Sequence, residues 1–181
     1  MPKPVSPPAS SEIMRLLDED HDKILALFDE FARIRRSADD ETLQTLVETT
    51  CTELIIHAQV EEEFFYPALT EALGFVDALE EALIEHSIAR QLIGELESMQ
   101  AGDHCYNARF HVLGEYVRHH IDEERRKIFP YLPGAEIDAG TLAADLRHRR
   151  DELRGEFGLP DSGYEEEFGH RKAALNPSLR H

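Results

Sequence analysis

A chain of 181 residues with 41% hydrophobic content is long enough for one domain with a continuous core. Its 19 basic and 37 acidic residues leave a formal charge of −18, which repels a phosphate backbone and argues against direct nucleic-acid binding. No apolar run reaches the roughly 18 residues of a membrane span, and MPKPVSPPASS lacks the apolar stretch of a secretory signal, so a soluble, cytoplasmic protein with no membrane association is expected.

Residues 1–10 read as a flexible, proline-rich leader. Ser10 or Ser11 then caps a first helix on which Ile13, Leu16, Leu17, Ile24, Leu25, Phe28 and Phe31 recur at helical spacing. His21 stands four after Leu17 and four before Leu25, on that apolar face rather than in the charged run Asp18, Glu19, Asp20, Asp22. A second helix starts at Asp39 or Asp40, carries Leu43, Leu46, Val47, Thr50, Leu54, His57 and Glu61 on one face, and is expected to end near Pro67. The third runs from about Phe75 to Gln100 with Leu79, Leu83, His86, Arg90, Ile93 and Leu96 on its stripe, stopping at Gly102. A fourth, from near Asp103 to Pro130, presents Phe110, Leu113, Val117, His120, Ile121, Glu124 and Ile128. A shorter fifth, about Asp138 to Arg154, has a stripe of Leu142, Leu146, Arg149 and Leu153. Residues 156–181 are a polar tail, with a helix expected around Tyr164 to Leu175. No strand pattern is present. The expected fold is all-α, an antiparallel up-down-up-down four-helix bundle over residues 11–155 with the fifth helix as a C-terminal addition.

The second and fourth helices share one local arrangement: His57-Ala-Gln-Val-Glu61 then Pro67, and His120-Ile-Asp-Glu-Glu124 then Pro130. Residues four apart lie on one helix face, about 6 Å apart along the axis, so each helix offers one site an imidazole and a carboxylate. Imidazole nitrogen with carboxylates able to bridge two cations is a mixture suited to iron or manganese pairs. Burying His21, His57, His86, His120, Glu61 and Glu124 in apolar stripes costs several kcal/mol per unpaired charge, and no set of inward lysines is available. Metal coordination satisfies all six at once. His119 with Glu123 has the same spacing as His120 with Glu124, but shares the face of Glu115, Arg118, Asp122 and Arg126, so His120 and Glu124 are the inward pair. Glu62 and Glu63 read as solvated neighbours, and His104, His111, His148, His170 and His181 as surface or tail residues. Cys51 and Cys105 are far apart and form no CxxC, so neither a disulfide framework nor a thiolate site is expected.

These motifs, over about Glu12 to Leu132, resemble the hemerythrin-like HHE cation-binding domain family: Asp-His21, His57-x3-Glu61 into Phe-Phe-Tyr-Pro67, Glu-His86, and His120-x3-Glu124 into Ile-Phe-Pro130. The resemblance implies a non-haem pair of iron ions bridged by the two glutamates and an oxo or hydroxo group, with manganese or zinc as substitutes. One feature departs from the oxygen-carrying members, where a further histidine follows one turn after the position of His86; here that residue is Arg90. Glu53 and Tyr116, each four residues before a motif histidine, are candidates for a supporting role, and Arg90 is expected to turn to solvent or to a carboxylate. The ferritin-like carboxylate bundles are disfavoured, because they use Glu-x-x-His and more carboxylates than imidazoles.

The function expected is a di-iron protein that binds or senses oxygen, peroxide or nitric oxide. The alternatives are an enzyme with weak peroxidase or catalase-like turnover, and an iron-storage or iron-responsive interaction module with an unspecified protein partner.

Overall fold

The computed structural model describes residues 9–74 and 76–159, and every regular element among them is helical. The leader before Ala9, Phe75, and the tail from residue 160 with its expected helix at Tyr164 to Leu175 lie outside the described residues. The long helices are α1 (Ala9–Ile34), α2 (Asp40–Val60), α4 (Asp77–Glu97) and α5 (Tyr106–Glu123); α3 (Tyr66–Leu73) follows α2, and α6 (Ala139–Glu156) comes last. Asp39 caps α2 by accepting the Thr42 N–H at 2.8 Å, and Asp138 caps α6 by accepting that of Thr141 at 3.1 Å. Helix α1 begins at Ala9, so the two serines fall inside its first turn instead of ahead of it.

Helix α1 packs on α2 and α5, and α4 packs on α5 and α2, which closes a ring of four; α6 lies on α1 and α2. The interior consists of two apolar clusters. One gathers Leu17, Val60, Ala82 and Ile128, the other Ile24, Leu54, Ile93 and Val117. Successive long helices meet these clusters in opposite order, so their directions alternate along the chain. Between the clusters lies a polar layer, crossed by His21 on α1, His57 on α2 and His86 on α4, with Glu124 just past the end of α5. The apolar stripes are therefore interrupted at one height in all four helices.

Three details differ from the sequence expectation. Leu27 is buried in place of Leu25, and Ala82 in place of Leu83, which is exposed. On α6 the buried cations are Arg150 and Arg154, while Arg149 stays half-buried against Glu63; Arg150 stands four and Arg154 eight residues after Leu146, which keeps both on the inner face, where Asp20 and Glu53 wait.

Pro67 does not end its helix. A single wide turn, Glu61–Phe65, is inserted instead, and the chain continues as α3; Glu124–Ile128 repeats the device before Pro130. In each wide turn the N–H of the residue before proline reaches back five residues, Tyr66 to the Glu61 carbonyl and Phe129 to that of Glu124. Proline has no N–H and its ring clashes with the carbonyl four residues back, so widening the turn relieves both problems without breaking the rod. Both insertions begin at the motif glutamate, so the proline six residues on helps set where that side chain points.

The α1–α5 contact is close enough to require a glycine. A Cβ at Gly114 would lie 2.8 Å from Cδ1 of Phe28, which is itself packed on Phe110. Gly114→Ala is expected to destabilise the fold by about 1–3 kcal/mol through this overpacking, read from urea unfolding; an unchanged midpoint would show that Phe28 can yield.

Candidate metal centre

The six sequence-predicted groups are brought together in the polar layer, all buried. Each ring presents Nε2 to the centre. His21 Nε2 and His57 Nε2 are 3.0 Å apart, and His86 Nε2 and His120 Nε2 are 3.1 Å apart, so the imidazoles form two pairs. The carboxylates join the pairs. Glu61 Oε2 lies 3.2 Å from His57 Nε2 and 3.4 Å from His86 Nε2, while Glu124 Oε2 lies 3.0 Å from His21 Nε2 and 3.7 Å from His120 Nε2. Each glutamate thus touches one imidazole of either pair. Two sets have ligand atoms close enough to share an ion, His21 with His57, Glu61 and Glu124, and His86 with His120 and Glu61.

Lone-pair nitrogens facing one another at 3 Å repel unless a proton or a cation lies between them. In addition, the buried Glu61 Oε1 has no hydrogen-bond partner among the described residues, the kind of orphan that an ion explains. The donor set of four neutral nitrogens and two carboxylates suits a first-row transition metal. On these grounds the residues fit a pair of such ions.

Protons take the cations' place when no metal is bound. Burial disfavours a charged His21, but Asp18 and Glu124 beside it outweigh burial and raise its pKa to about 9. The same contest raises His86 to about 9, with Glu61 and Glu62 opposing burial. His57 goes the other way, pushed well down by burial and by the charge of His21. Burial and the neighbouring Glu124 raise Glu61, whereas Glu124, despite its burial, is held low by His21 and His120. For His21 and His86 the folded pKa of about 9 exceeds the ordinary 6.5. Their contribution to stability is therefore complete below pH 6.5 and is lost as pH rises towards 9. Melting of the chelated protein is expected to fall across that window, while metal affinity, which requires release of the same protons, rises. A flat apo melting profile from pH 6.5 to 9 would contradict the protonated cage.

Several contributors were not legible from spacing. Tyr66 is buried and donates its one hydroxyl proton to Glu124 Oε1 at 2.7 Å, with Glu61 Oε2 at 3.2 Å and His86 Nε2 at 3.5 Å from the same oxygen. It appeared in the sequence only as part of Phe-Phe-Tyr-Pro67. Glu62, expected to be solvated, accepts from His86 Nδ1 at 2.8 Å and holds Arg90 at 2.8 Å. Arg90 is thereby drawn off the metal-facing side. Glu85 accepts from His120 Nδ1 at 2.9 Å. Glu85 adjoins His86 and Glu62 adjoins Glu61, but no spacing within one helix separates them from solvated acids.

Glu53 is a correction: it does not support the site but is buried between Lys23 at 2.5 Å and Arg154 at 2.7 Å. An arginine from α6, whose place no local pattern reveals, claims it. Tyr116 is exposed, yet it lines a cavity of ≈ 30 Å³ together with His57, His86, His120, Ala89 and Arg90. His119 points outward, as do His104, His111 and His148; His170 and His181 lie outside the described residues.

A helical bundle with two interlocked histidine and glutamate sets across its core is the architecture of a cation-binding domain. The chain belongs to the hemerythrin HHE cation-binding domain family, whose profile matches residues 12–132. It is similar to the crystal structure of a hemerythrin HHE cation-binding domain-containing protein from Mycobacterium kansasii, at 25% identity and a TM-score of 0.65, covering 78% of this chain and 86% of that one. Among curated proteins it is 26% identical over 117 residues to a protein of Nostoc sp. named DNA nickase, covering 65% of this chain but only 32% of the relative. The chain thus spans about a third of that relative's length.

Proposed function

We propose that the protein holds two iron ions, one between His21 and His57 and the other between His86 and His120, and that it binds or senses oxygen, peroxide or nitric oxide there. The observation that carries this reading is the pairing of one imidazole from each set by each glutamate, next to a cavity that reaches three of the four imidazoles. A water needs roughly 10–15 Å³, so the ≈ 30 Å³ of that cavity suits a ligand of two or three heavy atoms. When bound, an iron pair supplies a redox couple and an electron-accepting position for such a ligand.

The protein's own groups prepare that position. Tyr66 fixes Glu124 by donating to it and stands 3.2 Å from Glu61, and the apolar clusters above and below exclude bulk water. Glu62 keeps the Arg90 guanidinium from opposing the cations. Where the oxygen carriers have a further imidazole, this chain leaves the cavity side without one, which supports a second reading, slow peroxide turnover.

No helix among the described residues is long and apolar enough to cross a membrane, and both cysteines are free, which fits a reducing cytoplasm. The nickase activity of the Nostoc relative is not carried over, because most of that protein has no counterpart here and the charge of −18 opposes DNA.

The test is metal analysis of purified protein, followed by absorption spectra of the iron-loaded form before and after oxygen, peroxide, azide or nitric oxide. Two irons per chain and a ligand-dependent spectrum are expected. An unresponsive spectrum removes the sensing reading, and peroxide turnover no faster than free iron removes the enzymatic one.

A further inference from the structure

The two imidazole pairs both face the centre through Nε2 and differ most in what stands behind them. His86 Nδ1 and His120 Nδ1 each meet a carboxylate directly, Glu62 at 2.8 Å and Glu85 at 2.9 Å. Both carboxylates are partly buried, with side chains 26% and 19% exposed, so solvent weakens them only in part. Arg90 braces Glu62 from the far side at 2.8 Å. The other pair lacks this support. His57 Nδ1 is buried with no hydrogen-bond partner among the described residues, and His21 Nδ1 has only Asp18, 3.9 Å away. Asp18 accepts Arg125 Nε at 2.7 Å much as Glu62 holds Arg90, so what separates the two acids is their distance from the imidazole, 3.9 Å against 2.8 Å.

A carboxylate accepting the outer N–H of a ligating imidazole fixes its tautomer and ring orientation and makes its inner nitrogen a stronger donor. It also adds negative charge near the cation, where partial burial keeps the attraction from being fully screened. Glu61 lies within 3.4 Å of both pairs, whereas Glu124 lies nearer His21 (3.0 Å) than His120 (3.7 Å); this inner advantage of the His21 position is set against two outer carboxylates at the other. The geometry points to two unequal cation positions: the one between His86 and His120 fills first and holds its ion more tightly, with Glu62 and Glu85 as the positioning residues that make the difference. The position between His21 and His57 is the exchangeable one.

This inference rests on the two-metal reading and deepens it. Its test is anaerobic Fe(II) titration of the chelator-stripped full-length protein under competition with a chromophoric chelator. Two steps are expected, the first at least about 10-fold tighter. Glu62→Gln and Glu85→Gln should each weaken the first step by roughly 10- to 100-fold while leaving the second within a few-fold, the range seen when an imidazole's supporting carboxylate is lost. Asp18→Asn should leave the first step unaltered. The helical circular dichroism of each stripped variant separates misfolding from a binding defect, and selectivity between the steps is a readout that a merely structural role would not produce. Two steps of equal affinity, or variants that weaken both steps alike, would overturn the inequality while leaving the metal pair in place. A single equivalent bound would end the two-metal reading; its loss in Glu62→Gln would still assign the ion to the His86 position, and its indifference would not. No binding at all would overturn both.

Discussion

Stripping the metals is expected to lower the melting temperature by roughly 10 °C or more. A ligand present at a thousand times its dissociation constant stabilises the folded state by about 4 kcal/mol per site, and in a chain of this size each kcal/mol is worth about 2–4 °C. The effect is large here because the polar layer interrupts all four long helices at one height, so without cations its carboxylates and imidazoles rely on protons for neutrality. Glu124→Ala should reproduce most of the loss even with metal present, since Glu124 touches one imidazole of each pair and also receives the Tyr66 hydroxyl. Calorimetry with and without chelator checks both forms. Equal melting of loaded and stripped protein would mean that the cage is satisfied without ions.

Glu53→Ala is expected to cost about 3–5 kcal/mol while leaving the metal content unchanged. Removing one partner of a buried ion pair is far more damaging than replacing the whole pair, because the opposite charge stays behind in a low-dielectric environment. Glu53 is the common partner of Lys23 and Arg154, and Arg154 is only 3% exposed. The same logic predicts that Glu53→Leu combined with Arg154→Leu recovers part of the loss. Urea unfolding measures the cost, and iron stoichiometry tests the separation from the site. If Glu53→Ala lost metal but not stability, Glu53 would belong to the cation-binding machinery after all.

The pair Glu53 and Arg154 also shows where sequence reading stops. Periodicity placed His21, His57, His86 and His120 inward, because a helix face is a local property that repeats about every 3.6 residues. It likewise set Glu61 and Glu124 one turn beyond their histidines, and the all-helical class followed from five such stripes. Spacing on one helix, however, says nothing about which residue of another helix lies opposite. Glu62 and Glu85 were indistinguishable in the sequence from solvated acids until packing set them behind His86 and His120.

Local pattern by itself determined the helices, their inward faces and the kind of donor each brings to the core, since these depend only on side-chain chemistry and the turn of the backbone. Tertiary packing decided the rest. It set the delivery of Tyr66 to both glutamates and the capture of Glu53 by α6. Distance, burial and charge between helices are settled only when all of them are packed at once.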